Sequence, residues 1–356
     1  MIDQLISELV AYGLENGLID DADKVYVTNG LLELFQRQDY QEPEKLGKPR
    51  KLQLVLDDLL EYALSQGILE DDTVTMRDLL DTKIMGILTP APSVVRKIFE
   101  EKYQVSPKAA TEFYYHFSQA TNYIRTDRII KDEKWETDTE FGKMVITINL
   151  SKPEKDPRDI AKAGTAKKSG YPACLLCREN EGYAGHLTHP ARQNHRIIPI
   201  TLCGEQYYLQ YSPYVYYNEH CIIFNKNHIP MAINEITFNK LLDFVKQFPH
   251  YMAGSNADLP IVGESILSHD HFQGGSYVFA MAKAPYEQEF DLDRYPDIHV
   301  GIVKWPMSVI RLQGRAMDSI VAAANHILTK WRGYSDPEVN IFSETDGIPH
   351  NTITPI

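Results

Sequence analysis

Apolar residues near the N-terminus recur with the period of an amphipathic helix. The first such face comprises Ile2, Leu5, Ile6, Leu9 and Val10. Further along, Ser106 and Pro107 form a typical helix start, because a serine side chain caps the first turn and proline fits the first helical position. The pattern predicts a mostly helical N-terminal region over residues 1–135.

This helical region contains a faint internal echo. ELVAYGLENGLIDD resembles the later segment DLLEYALSQGILEDD, with Tyr12 matching Tyr62 and Gly17 matching Gly67. Each copy predicts a helix that stops at a glycine and is followed by an acidic turn. Two copies are too few for a solenoid, so we expect a helical substructure that carries no chemistry.

The pattern changes near Gly142, where short β-rich runs begin to alternate with single helices. The predicted strands are MVITINL, YYLQYSPYVYY, HCIIFN, SYVFAMA, HVGIVKW and SVIRLQG, and the predicted helices span 236–248 and 317–331. Such a series is typical of an α+β fold with a mostly antiparallel sheet. A basic loop from Lys152 to Lys168, which includes Arg158, is expected either to grip phosphates or to be a solvated surface.

The composition is that of an ordinary globular chain with room for two domains: 356 residues, 43% hydrophobic and 24% charged. A formal charge of −13 argues against a nucleic-acid partner. No apolar run is long enough to span a membrane, and the acidic N-terminus is unlike a signal peptide. Four cysteines are too few for a disulfide scaffold and indicate a reducing, cytoplasmic setting.

The most informative segment is HDHFQGG, in which His269, His271 and Gln273 lie two residues apart. In an extended chain these side chains share one face, because strand side chains alternate. Glycines, of which Gly274 is the first, remove bulk where a ligand's phosphates could approach the backbone. An unprotonated imidazole can attack phosphorus, so the set predicts covalent phosphoryl or nucleotidyl transfer.

Gln273 narrows this chemistry further. A histidine at that position could be protonated and help to activate water, whereas glutamine only donates and accepts hydrogen bonds. Glutamine can hold a phosphoryl oxygen without acting as a general acid. The motif therefore favours a stable covalent intermediate that awaits a second phosphate acceptor.

Cys174 and Cys177 have the two-residue gap of a zinc knuckle. The alternatives are two buried cysteines in a loop or a redox pair, and the redox pair is disfavoured because no βαβ pattern surrounds it. No second cysteine pair is available, so histidines must complete a zinc site, and His228 and His269 are the candidates. In that arrangement His271 is left as the reactive base.

A second group of histidines lies among arginines in GHLTHPARQNHR. Its members are His186, His189, Arg192, His195 and Arg196. A metal site is one interpretation of this group. We favour a polar loop that lines an active site.

Several long strings resemble the galactose-1-phosphate uridylyltransferases, specifically their bacterial type II class. They are TINLSKPEKDPRDIA, CLLCREN, GHLTHPARQNHRIIPI, CIIFNKNHIPM and ESILSHDHFQGGSYVFAMAKA. The resemblance implies a histidine-triad-like antiparallel sheet with flanking helices, in a chain that normally has two related α+β halves. It also implies a homodimeric enzyme of galactose metabolism, the Leloir pathway. That enzyme exchanges UMP between UDP-glucose and galactose 1-phosphate in a ping-pong cycle.

The resemblance assigns roles to individual residues. It makes His271 the nucleophile that becomes uridylylated and Gln273 the residue that stabilises the intermediate. Structural zinc would be held by Cys174, Cys177, His228 and His269. The substrate-binding residues would be Arg158 at the nucleotide, Leu175 and Leu176 in the uracil pocket, and Asn256 and Ser265 near the motif loop and the phosphates.

On this basis we expect a helical region over 1–135, a uridylyl-transfer domain over 136–285, and the start of a truncated second half over 286–356. Such a truncated chain would hold the uridylyl site but lack hexose selection. Asp270 stands where type I family members have proline, which leaves the metal content open. The rival hypotheses are a dinucleoside polyphosphate phosphorylase, whose motif also ends in glutamine, and a non-catalytic nucleotide-binding scaffold.

Overall fold

The computed structural model of the chain describes residues 2–150, 158–159, 169–262 and 266–356. Two compact units can be distinguished. The first comprises Met1–Lys131 and Leu150–Ile198, and the second comprises Asp132–Asn149 and Pro199–Ile356. Helices and antiparallel sheets occur together, which confirms the predicted α+β class.

The first unit is built mainly from helices, as the N-terminal pattern predicted. These are α1 (Ile2–Glu15), α2 (Lys24–Leu34), α3 (Leu52–Ser65), α4 (Val74–Leu88), α5 (Pro92–Val105), α6 (Pro107–Ala120) and α7 (Thr126–Ile129). The start of α6 is confirmed, because the Ser106 hydroxyl oxygen accepts a 3.0 Å hydrogen bond from the Ala109 backbone N–H. In the described chain, no helix is both long and apolar enough to cross a membrane.

The echo between α1 and α3 is confirmed in their ends. Gly17 and Gly67 both adopt positive φ, +63° and +70°. In each helix the next residue returns a backbone hydrogen bond of 2.9 Å to the preceding turn, from Leu18 to the Gly13 carbonyl and from Ile68 to the Ala63 carbonyl. A left-handed residue after the helix satisfies these carbonyls, and glycine adopts that conformation at least cost.

The second unit contains the sheet that carries the histidine motif. Its strands are ordered β3-β4-β5-β7-β6. They span Ile198–Leu202 (β3), Glu205–Tyr211 (β4), Cys221–Asn225 (β5), Met252–Ser255 (β6) and His271–Gly275 (β7). The strand pairs β4–β5, β5–β7 and β6–β7 are antiparallel.

The other elements of this unit form smaller layers. A hairpin joins β1 (Glu133–Thr139) to β2 (Gly142–Ile148), and a three-stranded sheet contains β8 (Tyr286–Phe290), β9 (His299–Val303) and β10 (Ile310–Gln313). A short ribbon contains β11 (Glu344–Thr345) and β12 (Ile348–Pro349), and the helices are α8 (Glu235–Gln247), α9 (Ala280–Lys283) and α10 (Met317–Arg332). The bounds of α8 and α10 confirm both predicted helices. Phe238 of α8 and Val321 and Leu328 of α10 belong to one buried cluster.

Of the predicted strands, one is wrong in part and another is wrong throughout. In YYLQYSPYVYY, β4 ends at Tyr211, and the following residues turn back so that the Ser212 N–H meets the His220 carbonyl at 2.9 Å. In SYVFAMA no strand forms, and its last residues begin the short helix α9. Its aromatic side chains pack against each other and against Tyr217 in a loop, so apolar aromatic content there reflects local packing and not strand pairing.

Candidate active site

The motif lies on β7, which is paired on both sides. His271 is opposite Phe224 of β5, and Gln273 is opposite Gly254 of β6. His269 precedes the strand, yet its side chain is completely buried. Because backbone pairing on both edges fixes the register, β7 cannot shift along its neighbours, and each of its side chains keeps its face of the sheet.

The environment of His271 fixes which ring nitrogen carries hydrogen. Its Nδ1 lies 2.7 Å from the backbone carbonyl oxygen of His269, and a carbonyl can only accept. Nδ1 must therefore carry the proton, so a neutral ring has its lone pair at Nε2. Asn256 Nδ2 lies 3.5 Å from that nitrogen, near the limit of a hydrogen bond. A neutral His271 could therefore act as a nucleophile only through Nε2.

Two more side chains extend this arrangement. Gln273 Nε2 lies 2.6 Å from Asn256 Oδ1, and Gln273 Oε1 lies 3.1 Å from His220 Nε2. The other ring nitrogen of His220 lies 2.9 Å from the carbonyl oxygen of Tyr214. Burial lowers the pKa of His220, although its two hydrogen bonds act in the opposite direction. No sequence pattern pointed to His220, because a lone histidine before a strand has no distinctive spacing.

The two cysteines form a tight turn in the first unit. The Cys177 backbone N–H donates to the Cys174 carbonyl at 3.3 Å, and the two Sγ atoms are 3.5 Å apart. Asn180 supports the turn, since its Nδ2 lies 2.8 Å and 2.7 Å from the carbonyl oxygens of Cys174 and Cys177. Burial raises the pKa of the Cys177 thiol to about 11, and its hydrogen bond with Cys174 adds to this.

His228 and His269, the two candidate histidine ligands, lie side by side. The rings of His228 and His269 have centroids 5.0 Å apart. His269 Nε2 lies 2.8 Å from the Asn225 carbonyl oxygen and must donate to it, so Nδ1 is the nitrogen that remains available to a metal. Burial is the main reason that the pKa of His269 is lowered, which favours the neutral, metal-binding form.

Ligand atoms from Cys174, Cys177, His228 and His269 all lie within 4.8 Å of one another. Two thiols and two imidazoles are a preferred donor set for tetrahedral zinc. Zn–S bonds of about 2.3 Å in a tetrahedron place two sulfur atoms roughly 3.8 Å apart, close to the 3.5 Å between these thiols. The residues therefore fit a metal of this kind.

The remaining predicted site residues have varied surroundings. Leu176 is buried within the cysteine turn, whereas Leu175 is exposed. Arg158 donates a long hydrogen bond of 3.4 Å to the Asp72 carbonyl. A Cβ on Gly274 would lie 2.9 Å from the Met252 carbonyl oxygen, so packing within the sheet already requires glycine there. Ser265 and the lysines of the basic loop lie outside the described residues.

The histidines and arginines of GHLTHPARQNHR make structural contacts. His195 is buried and stacks on Tyr123 with ring centroids 4.1 Å apart. Arg196 donates to backbone carbonyls, including that of Pro90 at 2.7 Å. His189 Nε2 lies 2.6 Å from Asn180 Oδ1 and so supports the residue that holds the cysteine turn.

Comparisons with known proteins show that the chain is similar to one enzyme family along most of its length. Residues 17–230 match the family described as galactose-1-phosphate uridyl transferase, N-terminal domain, and residues 243–354 match the corresponding C-terminal domain. Among curated proteins, the chain is 56% identical to a galactose-1-phosphate uridylyltransferase of Butyrivibrio fibrisolvens, covering 100% of this chain and 92% of that one.

Relatives from other bacteria are longer than this chain. The galactose-1-phosphate uridylyltransferase of Clostridium acetobutylicum is 55% identical over 100% of this chain and 71% of its own length. That of Bacillus subtilis is 50% identical over 99% of this chain and 69% of its own length. No solved structure matches the chain.

Proposed function

Because the chain belongs to the galactose-1-phosphate uridylyltransferase family, we propose that it transfers a uridylyl group from UDP-glucose to galactose 1-phosphate through His271. The observation that carries the assignment of His271 is the 2.7 Å hydrogen bond between its Nδ1 and the His269 carbonyl. That bond orients the ring and reserves the other nitrogen, Nε2, for attack on phosphorus. The enzyme class follows from the family, and the roles of individual residues are our proposal.

The first half-reaction forms a phosphorus–nitrogen bond. The lone pair on His271 Nε2 attacks the α-phosphorus of UDP-glucose, and the bond between that phosphorus and the bridging oxygen breaks. The electron pair leaves with glucose 1-phosphate, so no proton needs to be supplied to the leaving group. In the second half-reaction a phosphate oxygen of galactose 1-phosphate attacks the same phosphorus, and the P–N bond breaks to restore His271.

Gln273 and Asn256 would stabilise the intermediate. Both carry amide N–H groups and lie beside the imidazole, and their mutual hydrogen bond of 2.6 Å holds them together. Preorganised N–H donors stabilise charge that develops on non-bridging phosphoryl oxygens. Neither residue can protonate a leaving group near neutral pH, which favours transfer to galactose 1-phosphate over hydrolysis.

We further propose that the group of Cys174, Cys177, His228 and His269 holds structural zinc. A closed set of four protein ligands leaves no position for substrate, so such an ion supplies folding free energy and no step of the reaction. The support is the donor set and the clustering of its atoms within 4.8 Å. Asn180 and His189 would keep the cysteine turn in its binding geometry.

The remaining predictions stay proposals. Leu175 and Leu176 would contact uracil, and Arg158, Ser265 and Gly274 would lie near the phosphates. The transfer chemistry would belong to 136–285, in a homodimer of the cytoplasm that binds neither nucleic acid nor membranes. These statements rest on the family membership and the acidic composition.

The experiment is label transfer to the protein. Incubation with UDP-glucose labelled in the α-phosphate should leave acid-labile label on the wild-type chain, and His271→Gly should remain unlabelled. His299→Gly, which changes an exposed histidine on β9, is the control and should be labelled like wild type. Label that survives His271→Gly, or turnover of a diadenosine polyphosphate in preference to UDP-glucose, would overturn the proposal.

A further inference from the structure

A continuous polar chain of four side chains joins two backbone carbonyls beside β7. It runs from the Tyr214 carbonyl through His220, Gln273, Asn256 and His271 to the His269 carbonyl. Its distances, in that order, are 2.9, 3.1, 2.6, 3.5 and 2.7 Å. Each internal link joins side chains from different segments, so this hydrogen-bonded series of side chains forms only in the folded sheet.

The number of protons in this chain does not match the number of links. Both ends are carbonyl oxygens, so Nδ1 of each histidine must carry hydrogen. If each carboxamide uses its oxygen on one side and its N–H on the other, neutral histidines supply four donors for five links. One internal link is therefore unmet unless one more proton enters the chain. An unmet polar link in a buried site is costly, so the chain has two competing arrangements.

Building on the proposed uridylyl transfer, we propose that His220 is a positioning residue that decides which end of the Gln273 carboxamide faces the transferring phosphoryl group. When His220 Nε2 donates, it takes the carboxamide oxygen and leaves the Gln273 NH2 group on the side of Asn256 and His271. This is the arrangement at 3.1 Å and 2.6 Å in the structure. When His220 Nε2 only accepts, the carboxamide turns and presents its oxygen to the phosphoryl oxygens, which repel it.

The surroundings of His220 allow both states. Tyr216 and Tyr217 lie against its ring, with centroids 5.3 Å and 4.7 Å away, and aromatic faces stabilise an imidazolium. The carboxylate of the neighbouring residue Glu219 accepts a hydrogen bond from the Tyr251 hydroxyl. On β7, Gln273 is the only hydrogen-bond partner of His220 among the described residues. Burial opposes the charge on His220 in the free site. An anionic uridylyl group on His271 favours protonation of His220, because the anion attracts the N–H ends of both amides and the Gln273 oxygen then faces His220.

The sign of the pH dependence follows from these contacts. Protonated His220 presents the favourable end of Gln273, so its contribution to uridylylation is full at low pH and is lost as pH rises through the pKa of His220 in the reacting complex. His220→Asn cannot titrate and should lose that descending limb. We expect it to lower the uridylylation rate about tenfold at the pH optimum, with less than about a twofold change in KM for UDP-glucose.

A double-mutant cycle separates this role from a general structural one. His220→Asn should cost about tenfold in the wild-type background but less than about twofold in a Gln273→Ala background, because the residue acts through Gln273. An equal cost in both backgrounds, or an unchanged pH profile in His220→Asn, overturns the proposal. If wild type itself takes up no uridylyl label, it is the proposed function that fails.

A measurement on unaltered protein covers the case in which His220→Asn does not fold. In protein labelled with 15N-histidine, the His220 ring nitrogens should shift from the neutral to the imidazolium pattern when UDP-glucose is added and glucose 1-phosphate is removed. Spectra of His220→Gln and the wild type together assign the signals. A His220 ring that stays neutral in the uridylylated protein contradicts the proposal.

Discussion

Tyr207 donates its hydroxyl hydrogen to the carboxylate of Asp270, the residue that separates the two motif histidines. Lys240 of α8 donates to the same hydroxyl oxygen and to Glu205, at 2.9 Å each. Asp270 and Lys240 are both buried, so this network ties the residue just before β7 to β4 and to α8. Burial, followed by the nearby Asp270 carboxylate, raises the pKa of Tyr207 well above its usual range, so the tyrosine remains a donor.

Removal of the Asp270 carboxylate should destabilise the fold and displace the motif. Asp270→Leu leaves the buried Tyr207 hydroxyl hydrogen without an acceptor, whereas Lys240 keeps Glu205. We expect a loss of about 2 kcal/mol in the free energy of unfolding. Asp270→Asn keeps an acceptor and should cost about 1 kcal/mol. Urea unfolding measures both. Asp293→Leu, at an exposed loop position, is the control and should stay within about 0.5 kcal/mol of wild type.

Replacement of Gln273 by histidine should open a hydrolytic route. An imidazole can accept and donate protons near neutral pH, so Gln273→His should release UMP from the uridylylated protein several-fold faster than wild type when no hexose phosphate is present. Gln273→Leu has similar bulk but no proton to transfer, and should slow uridylyl transfer without faster UMP release. If UMP release by Gln273→His matches that of wild type, the glutamine does not protect the intermediate.

Loss of one cysteine ligand should remove the metal. Purified wild type should contain about one zinc per chain by elemental analysis, because two thiolates and two imidazoles complete a tetrahedral shell. Cys174→Ser should contain little zinc, and chelation should lower the Tm of wild type by several degrees but not that of Cys174→Ser. Cys203→Ser changes an exposed cysteine outside the cluster and should retain zinc. Zinc-free wild type of unchanged Tm would contradict the structural role.

A methyl group on Gly274 should destabilise the sheet. Its Cβ would lie 2.9 Å from the Met252 carbonyl oxygen and 3.1 Å from Cys221 Sγ, closer than side chains normally approach. Gly274→Ala should therefore cost about 1–3 kcal/mol in the free energy of unfolding. Gly47→Ala, where nothing lies within 4 Å of the added atom, provides the control and should be close to neutral. A stable Gly274→Ala with impaired turnover would instead favour close approach of substrate to this backbone.

Local sequence patterns were enough to predict several helices and the cysteine turn. The helical period, the serine cap before α6 and the glycine ends of α1 and α3 depend on residues within one or two turns, so the sequence was enough to predict them. The spacing of Cys174 with Cys177 depends on one tight turn. The histidine candidates for completing that site were predicted from residue type, and the structure brings both near the thiols.

Strand limits were less accessible to local reasoning. SYVFAMA has the composition of a strand and follows directly after β7. Its pairing would need β5 and β6 to extend further, but these strands begin at Cys221 and Met252, opposite Gly274 and Gly275. The aromatic residues of SYVFAMA pack into a loop cluster instead. The composition of a segment cannot show where its partner strands begin.

Within HDHFQGG, the sequence by itself determined the chemistry available: a nucleophilic imidazole, a second imidazole and a neutral amide. Tertiary structure decided how that chemistry is prepared. His220 and Asp270 act through hydrogen bonds to Gln273 and Tyr207, which join positions more than fifty residues apart in the chain. Such bonds require the sheet register, because donors and acceptors must meet within about 3 Å. No spacing within the motif encodes that register.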